Sequence, residues 1–113
     1  MHELSIVNSL LSLCEENAKT HNAKKIIKVE IKVGRLSGIE PHFLKLTFDT
    51  FKEKTICEGA ELVMNIQDVI IKCLSCGAEN RLVNNEFICT RCGSNNIKVE
   101  EGEDMLLMRL EME

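Results

Sequence analysis

The spacing of apolar residues predicts two helices in the first half of the chain. From Glu3 to Lys19, apolar residues recur every three or four positions, and polar residues occupy the opposite face. A second stretch with this spacing begins at Pro41, which fits the first turn of a helix, and runs to about Lys54. We therefore expect two amphipathic helices, each of which buries one face against the rest of the molecule.

Strict alternation of apolar and polar residues predicts three strands, at residues 27–33, 60–66 and 106–112. Gly34 ends the first of these strands, and a turn at Gly102-Glu103-Asp104 precedes the last one. The expected core-facing side chains of the last strand are Leu106, Met108, Leu110 and Met112. Since all three strands have one apolar face, the chain predicts an α+β fold in which two helices cover a single three-stranded sheet.

Two pairs of cysteines are the strongest chemical signal in the chain. They occur as Cys73-x-x-Cys76 and Cys89-x-x-Cys92, and a glycine follows each pair. Each pair can place two thiolates on one side of a metal ion, and the residues between the pairs, 77–88, can form a short hairpin. The pattern predicts a tetrahedral Zn(II) site in a zinc ribbon. Four sulfur ligands leave zinc no open position for catalysis, so this site would be structural.

Two other interpretations of the cysteines are less consistent with the sequence. A thioredoxin-like redox centre needs a single Cys-x-x-Cys pair at a turn from strand to helix, whereas this chain has two pairs. A rubredoxin-like iron site is chemically feasible, but Phe87 is the only aromatic residue near the cysteines. We therefore expect zinc rather than a redox centre.

The cysteine region is predicted to be an insertion between the second and third strands. This interpretation divides the chain into an α/β domain, residues 1–68 plus 104–113, and a zinc-ribbon domain, residues 69–103. A segment of about 35 residues is below the size that apolar burial alone can fold. Structural zinc binding is worth about 10–16 kcal/mol in small peptides, so zinc would supply the missing stability.

Composition and charge exclude several classes of partner and location. The formal net charge is -4, acidic side chains outnumber basic ones in the cysteine region, and there is no Trp or Tyr to stack on bases. These features disfavour a nucleic-acid partner. The start of the chain lacks the basic residues of a secretory signal, and no apolar run reaches the length of a membrane span. We therefore expect a cytoplasmic protein with reduced cysteines and no membrane partner.

The first residues of the chain offer a second metal site of different chemistry. We expect Met1 to be retained, because the imidazole of His2 is too bulky for removal of the preceding methionine. The Met1 amine, the His2 amide nitrogen and the His2 Nδ1 can then form two fused chelate rings in one plane. Glu3 could fill the fourth position with its amide nitrogen or carboxylate, as could a partner. Such planar nitrogen sites suit Ni(II) or Cu(II).

The chain resembles the HypA/HybF family of hydrogenase nickel-incorporation proteins. The resemblance rests on the start Met1-His2-Glu3-Leu4-Ser5, on segments 34–44, 48–49 and 58–62, and on the two cysteine pairs, and it covers nearly the whole chain. It implies a nickel site around His2, with Glu3 beside it. It also implies that the zinc ligands are Cys73, Cys76, Cys89 and Cys92.

The family resemblance also implies a function and a set of partners. It predicts a nickel metallochaperone, not an enzyme, that carries Ni(II) as cargo and delivers it during maturation of nickel-iron hydrogenase. The implied partners are a nickel-handling GTPase of the HypB type and the hydrogenase large subunit. Urease maturation proteins are further candidate partners, and a homodimer stays open. The alternative is a zinc-ribbon module that binds protein or nucleic acid and has no nickel role.

Several other residues have a competing structural interpretation. Glu40 could reach nickel as an oxygen ligand, but a carboxylate at a helix start is also favoured by the helix dipole. Cys14 is expected in the core. Cys57 lies in a predicted loop, where it is either an exposed thiol that binds stray metal or an inert cysteine. His42 could approach His2 only if the fold brings them together.

Overall fold

Two helices and two three-stranded sheets make up the part of the chain that the computed structural model describes, residues 3–82 and 86–113. The elements are α1 (Glu3–Thr20), β1 (Ile26–Gly34), α2 (Pro41–Phe51), β2 (Glu61–Gln67), β3 (Ile70–Cys73), β4 (Glu79–Arg81), β5 (Ile97–Glu101) and β6 (Met105–Met112). The α+β class predicted from the sequence is confirmed. Neither described helix is long and apolar enough to cross a lipid bilayer.

The first sheet, which we call the body sheet, contains the three strands predicted by alternation. Its order is β2-β1-β6, with β1 parallel to β2 and antiparallel to β6. One apolar core joins this sheet to both helices, and its largest fully buried side chains include Phe48, Leu10, Ile26, Ile31 and Leu44. The predicted arrangement of two helices on one three-stranded sheet is therefore confirmed.

Helix α2 begins as the sequence predicts but ends earlier. The Glu40 carboxylate accepts a hydrogen bond from the Phe43 backbone N–H at 2.7 Å, and Pro41 occupies the first turn. The helix stops at Phe51 rather than near Lys54. Lys54 has a φ of 63°, a left-handed conformation that a helix cannot include, and the spacing of apolar residues does not reveal it.

The predicted core face of β6 is partly wrong because the strand contains a bulge. Glu30 pairs with Arg109, but the next residue of β1 pairs with Leu107, so Met108 is an extra residue. The extra residue reverses the alternation on its amino-terminal side, and Met108 is 51% exposed. The predicted core-facing set was Leu106, Met108, Leu110 and Met112, and the observed set is Met105, Leu107, Leu110 and Met112.

The second sheet, which we call the ribbon sheet, carries the cysteines. Its order is β4-β3-β5, and both pairings are antiparallel. The hairpin predicted between the two cysteine pairs includes residues 83–85, which lie outside the described residues. The sequence did not predict β3, which leads into the first cysteine pair, or β5, which follows the second pair and completes the sheet.

The two chain segments that connect the sheets lie against each other. A Cβ atom at Gly34 would lie 2.2 Å from the Gly102 carbonyl oxygen, so only glycine fits there. Leu36 N donates to the same oxygen at 2.7 Å. Gly102 also lies against the backbone of Val69. Its φ is 104°. The start and the end of the cysteine region are therefore in contact.

Asp68 forms ion pairs with residues from both sides of this junction. Its carboxylate accepts a hydrogen bond from Arg35 Nε at 2.5 Å and lies 3.6 Å from Arg81 Nε in β4. The Arg35 guanidinium lowers the pKa of Asp68 below its ordinary value. The junction is thus held by charge as well as by backbone hydrogen bonds.

We expect Asp68→Asn to lower the thermal midpoint of the zinc-loaded protein slightly, and equally at about pH 7.5 and pH 5.5. A carboxyl whose folded pKa is depressed stabilises the fold above its unfolded pKa, near 3.9, and loses that contribution only as pH falls through the lower folded pKa. Asp104→Asn is the control, since Asp104 makes no ion pair among the described residues. A decrease in thermal midpoint that is smaller at pH 5.5 than at pH 7.5 would contradict the lowered pKa of Asp68.

Candidate metal centre

The four predicted zinc ligands converge at one end of the ribbon sheet. Their Sγ atoms all lie within 4.8 Å of one another. Cys73 Sγ is 3.5 Å from Cys92 Sγ, and Cys76 Sγ is 3.7 Å from Cys89 Sγ. A tetrahedron with Zn–S bonds of about 2.3 Å has sulfur atoms about 3.8 Å apart. The four thiols therefore fit Zn(II) in number, type and separation.

Each cysteine pair forms the same local turn. Gly77 donates its N–H to the Cys73 carbonyl at 2.9 Å, and Gly93 donates to the Cys89 carbonyl at 2.8 Å. Both glycines have left-handed conformations, with φ values of 80° and 75°. In the first turn, the Cys76 N–H also approaches Cys73 Sγ at 3.4 Å. The glycine after each pair therefore lets the chain fold back around the sulfur atoms.

Hydrogen bonds favour the thiolate form of the first cysteine in each pair. The backbone N–H of Cys92 is the main cause that lowers the pKa of Cys89 to about 6, and the Asn80 amide adds to the effect. The Cys76 backbone N–H lowers the pKa of Cys73 in the same way. These two first cysteines are buried, whereas Cys76 and Cys92 are exposed. The site thus has a buried half, in which hydrogen bonds favour the thiolate form, and a solvent-facing half.

The thiols of the exposed half are not all easily ionised by themselves. The Ser94 backbone N–H favours the Cys92 thiolate, but the neighbouring cysteines, Cys73 first, raise the pKa of Cys92 to about 12. Four thiolates this close repel one another, so a metal cation is needed to hold all of them in anionic form. This charge balance agrees with a metal site and not with a set of independent thiols.

Met1 and His2 lie outside the described residues, so the structure does not place the two main residues of the predicted nickel site. Glu3 is the first residue of α1, and its side chain is half-buried. The predicted ligand set of Met1, His2 and Glu3 therefore stays a prediction. The question whether the fold brings His42 near His2 also involves a residue outside the described part.

The structure decides between interpretations for three other candidates. Glu40 caps α2, as the helix-start interpretation predicts. Cys14 is fully buried in the core, as predicted. Cys57 is fully buried as well, so the interpretation of an exposed, metal-binding thiol at this position is wrong. Cys14 and Cys57 belong to the same buried core cluster, and interaction with the Cys14 thiol lowers the pKa of Cys57.

Asn80 is the residue of this centre that sequence reasoning missed. It lies in β4, its exposure is only 7%, and its Nδ2 donates to Cys89 Sγ at 3.4 Å. A polar side chain that lies between two cysteine pairs has no recognisable motif in the sequence. Its role is visible only when the second cysteine pair folds over β4.

The fold and the site together define a small α+β metal-binding protein with a four-cysteine centre of the zinc-ribbon type. A family model described as HypA, hydrogenase/urease nickel incorporation, metallochaperone, matches residues 1–112. The chain belongs to the HypA family. The resemblance identified from the sequence is therefore confirmed over essentially its whole length.

Individual relatives agree with this assignment. The hydrogenase maturation factor HypA of Shewanella halifaxensis is 50% identical over 113 residues, which are 100% of this chain and 98% of the relative. The hydrogenase maturation factor HypA of Aquifex aeolicus is 49% identical over 113 residues, with coverage of 100% and 98%. The similarity thus extends over both sheets and both termini.

Solved structures of the family have the same fold. The solution structure of the Ni metallochaperone HypA from Helicobacter pylori matches with a TM-score of 0.73 and 34% sequence identity, over 99% of this chain and 97% of that one. A second solution structure of a HypA protein matches with a TM-score of 0.77 and 34% identity, over 99% and 96%. The fold class is therefore supported by comparison as well as by the molecule's own architecture.

Proposed function

We propose that this protein is a nickel metallochaperone that binds Ni(II) through Met1, His2 and Glu3 and delivers it during maturation of nickel-iron hydrogenase. The observation that carries the proposal is the family match over residues 1–112, because this range includes the amino-terminal residues with suitable ligand chemistry. Its relatives are named hydrogenase maturation factors, and one solved relative is named a Ni metallochaperone. In this proposal the protein is not an enzyme, and nucleotide hydrolysis belongs to a partner.

The proposed nickel site is suited to temporary binding. The Met1 amine, the His2 amide nitrogen and the His2 Nδ1 supply three planar nitrogen donors, which Ni(II) accepts readily. The fourth position comes from Glu3 or from the receiving partner. In this proposal the site is not a closed protein cage, so a partner can approach the cargo and complete its coordination.

Zn(II) is the proposed resident metal, held by Cys73, Cys76, Cys89 and Cys92. The sulfur separations suit tetrahedral zinc, and all four ligands come from the protein. Zinc bound there would supply charge compensation and a cross-link between the two turns. We further propose that residues 69–103 form a zinc-ribbon domain and that residues 1–68 plus 104–113 form the nickel-binding domain, a division consistent with the two separate sheets.

The proposed partners follow from the delivery role. They are a HypB-type GTPase and the hydrogenase large subunit, with urease maturation proteins and a second copy of the chain as further candidates, all in the cytoplasm. We propose that docking uses the exposed flank of α1, since Glu3, one of the proposed nickel ligands, lies in this helix. This flank has a shallow concavity lined by Asn8, Ser12, Leu13 and Glu16.

The proposal is tested by calorimetric nickel titration of the untagged, zinc-loaded chain beside the same chain with one extra glycine before Met1. The extra residue displaces the free amine from the chelate and leaves every side chain in place. We expect tight nickel binding to disappear.

We also expect the affinity of the unmodified chain for nickel to fall from pH 8 to pH 6, because an amine with a reference pKa of about 7.7–8.0 must lose its proton to bind.

The matched controls are His2→Gln and His21→Gln. His2→Gln should also abolish tight binding, whereas His21→Gln should not, because His21 Nδ1 lies 2.8 Å from the Asn17 carbonyl at the end of α1. Unchanged nickel binding in the glycine-extended chain, or an affinity that is flat between pH 8 and 6, would contradict the terminal site. The zinc-ribbon module without a nickel role would then be the better description.

A further inference from the structure

The two cysteine turns have the same backbone hydrogen bonds but differ in what holds the residue after the first cysteine. In the first turn, the Leu74 N–H donates to the backbone carbonyl of Asn96 at 2.8 Å. In the second turn, the corresponding N–H of Thr90 donates to the side-chain oxygen of Asn80 at 3.0 Å. The Thr90 hydroxyl also donates to this Asn80 oxygen. A side chain thus takes the place of a backbone carbonyl in the second turn.

Asn80 is placed to act on the sulfur as well as on the backbone. It lies in the middle of β4, where it pairs with Ile71, and it is one of only two buried polar side chains among residues 3–82 and 86–113. Its Oδ1 faces Thr90, and its Nδ2 donates to Cys89 Sγ at 3.4 Å. Both ends of the amide are therefore used, and both are used on the same turn.

We propose that Asn80 is a positioning residue of the metal centre that fixes the second cysteine turn and orients the Cys89 thiolate. The inference rests on the proposed zinc at the four cysteines and is independent of the proposed nickel site. Hydrogen bonds that orient a metal ligand commonly change metal affinity by about 10–100-fold when they are lost. In the first turn, the corresponding hydrogen bond is accepted by the backbone carbonyl of Asn96. A side-chain substitution at Asn96 does not remove that carbonyl. The second turn depends on one replaceable side chain.

The test compares zinc transfer to a chromophoric chelator from the wild-type chain and from Asn80→Ala, Asn80→Asp and Asn96→Ala. We expect Asn80→Ala to release zinc about tenfold faster, since both amide contacts are lost. Asn80→Asp retains an acceptor for Thr90 but replaces the donor to Cys89 with a carboxylate oxygen that repels the thiolate, so it should release zinc at least as fast as Asn80→Ala. Asn96→Ala is the matched control, because Asn96 contacts Leu74 only through its backbone carbonyl, and its rate should equal that of wild type.

A spectroscopic measurement separates positioning from a general loss of stability. In the Cd-113-substituted protein, correlations between the metal and the cysteine β-hydrogens report each ligand separately. Asn80→Ala should shift the Cys89 and Cys92 signals and leave those of Cys73 and Cys76 nearly unchanged. Equal shifts at all four ligands, or a release rate equal to that of Asn96→Ala, would overturn the inference. A wild-type chain that binds no zinc would instead overturn the proposed zinc site.

Discussion

Replacing Cys89 with alanine is expected to unfold the ribbon sheet and to leave the body sheet folded. Among the described residues from 69 to 103, the only buried aliphatic side chains are Val69 and Ile71. Burying such a side chain is worth about 1.5–3 kcal/mol, whereas fixing each backbone residue costs about 1–2 kcal/mol. Two side chains cannot order the segment, so its structure depends on the metal. Three remaining sulfurs leave the tetrahedral shell incomplete.

The expected result is loss of bound zinc together with collapse of the dispersed amide NMR signals of residues 70–82 and 86–101, while those of the body sheet persist. Cys14→Ala is the matched control, because it makes the same substitution at another fully buried cysteine. That variant should unfold its body sheet and helices more easily than the wild-type chain does, and it should retain one zinc per chain. If the Cys89→Ala protein keeps the dispersed amide signals of the ribbon sheet after chelator treatment, the ribbon sheet folds without metal.

Phe48→Ala is expected to lower the free energy of unfolding by about 3–5 kcal/mol, a large part of the stability of a small domain. Phe48 is fully buried at the centre of the body core, and the Lys52 ammonium lies 5.8 Å from its ring centroid. Removal of the ring leaves a cavity between α2 and the sheet that the helix cannot fill without moving. The measurement is urea unfolding followed by far-ultraviolet circular dichroism, since the chain has no Trp or Tyr.

The control for this prediction lies on the same helix. Phe43 is 58% exposed, so Phe43→Ala should change the free energy of unfolding by no more than about 0.5 kcal/mol. Both variants remove the same ring from α2, and the main difference between them is how deeply that ring is buried. Similar losses in the two variants would mean that Phe48 is not part of a close-packed core.

The parts of the fold that depend on periodicity were predictable from the sequence. The apolar spacing of α1, the alternation in β1 and β2, and the two cysteine pairs each specify a local geometry without help from distant residues. The fold class followed, because three strands with one apolar face must share a core with the helices. The four-cysteine cluster was equally predictable, since ligand spacing and the glycines after each pair dictate the same turn twice.

The parts that were missed depend on contacts between distant segments. The bulge at Met108 arises from the pairing of β6 with β1, and alternation within β6 alone cannot reveal it. Cys57 is buried because it packs into the core cluster that also contains Cys14 of α1. The role of Asn80 requires the second cysteine pair to fold over β4. In each case the deciding neighbour is remote in the sequence.

The contact between Gly102 and Val69 has a consequence for how fast the body sheet can assemble. Once β2 has paired with β1, strand β6 must still reach β1 across the loop of residues 68–104, and closing so long a loop is slow and entropically costly. A ribbon already folded around its metal holds the two ends of this loop together. The folded ribbon shortens the flexible part of this loop several-fold, which lowers the entropic free energy of loop closure by about 1–2 kcal/mol. Metal bound at the four cysteines would therefore speed the folding of a sheet that it does not touch.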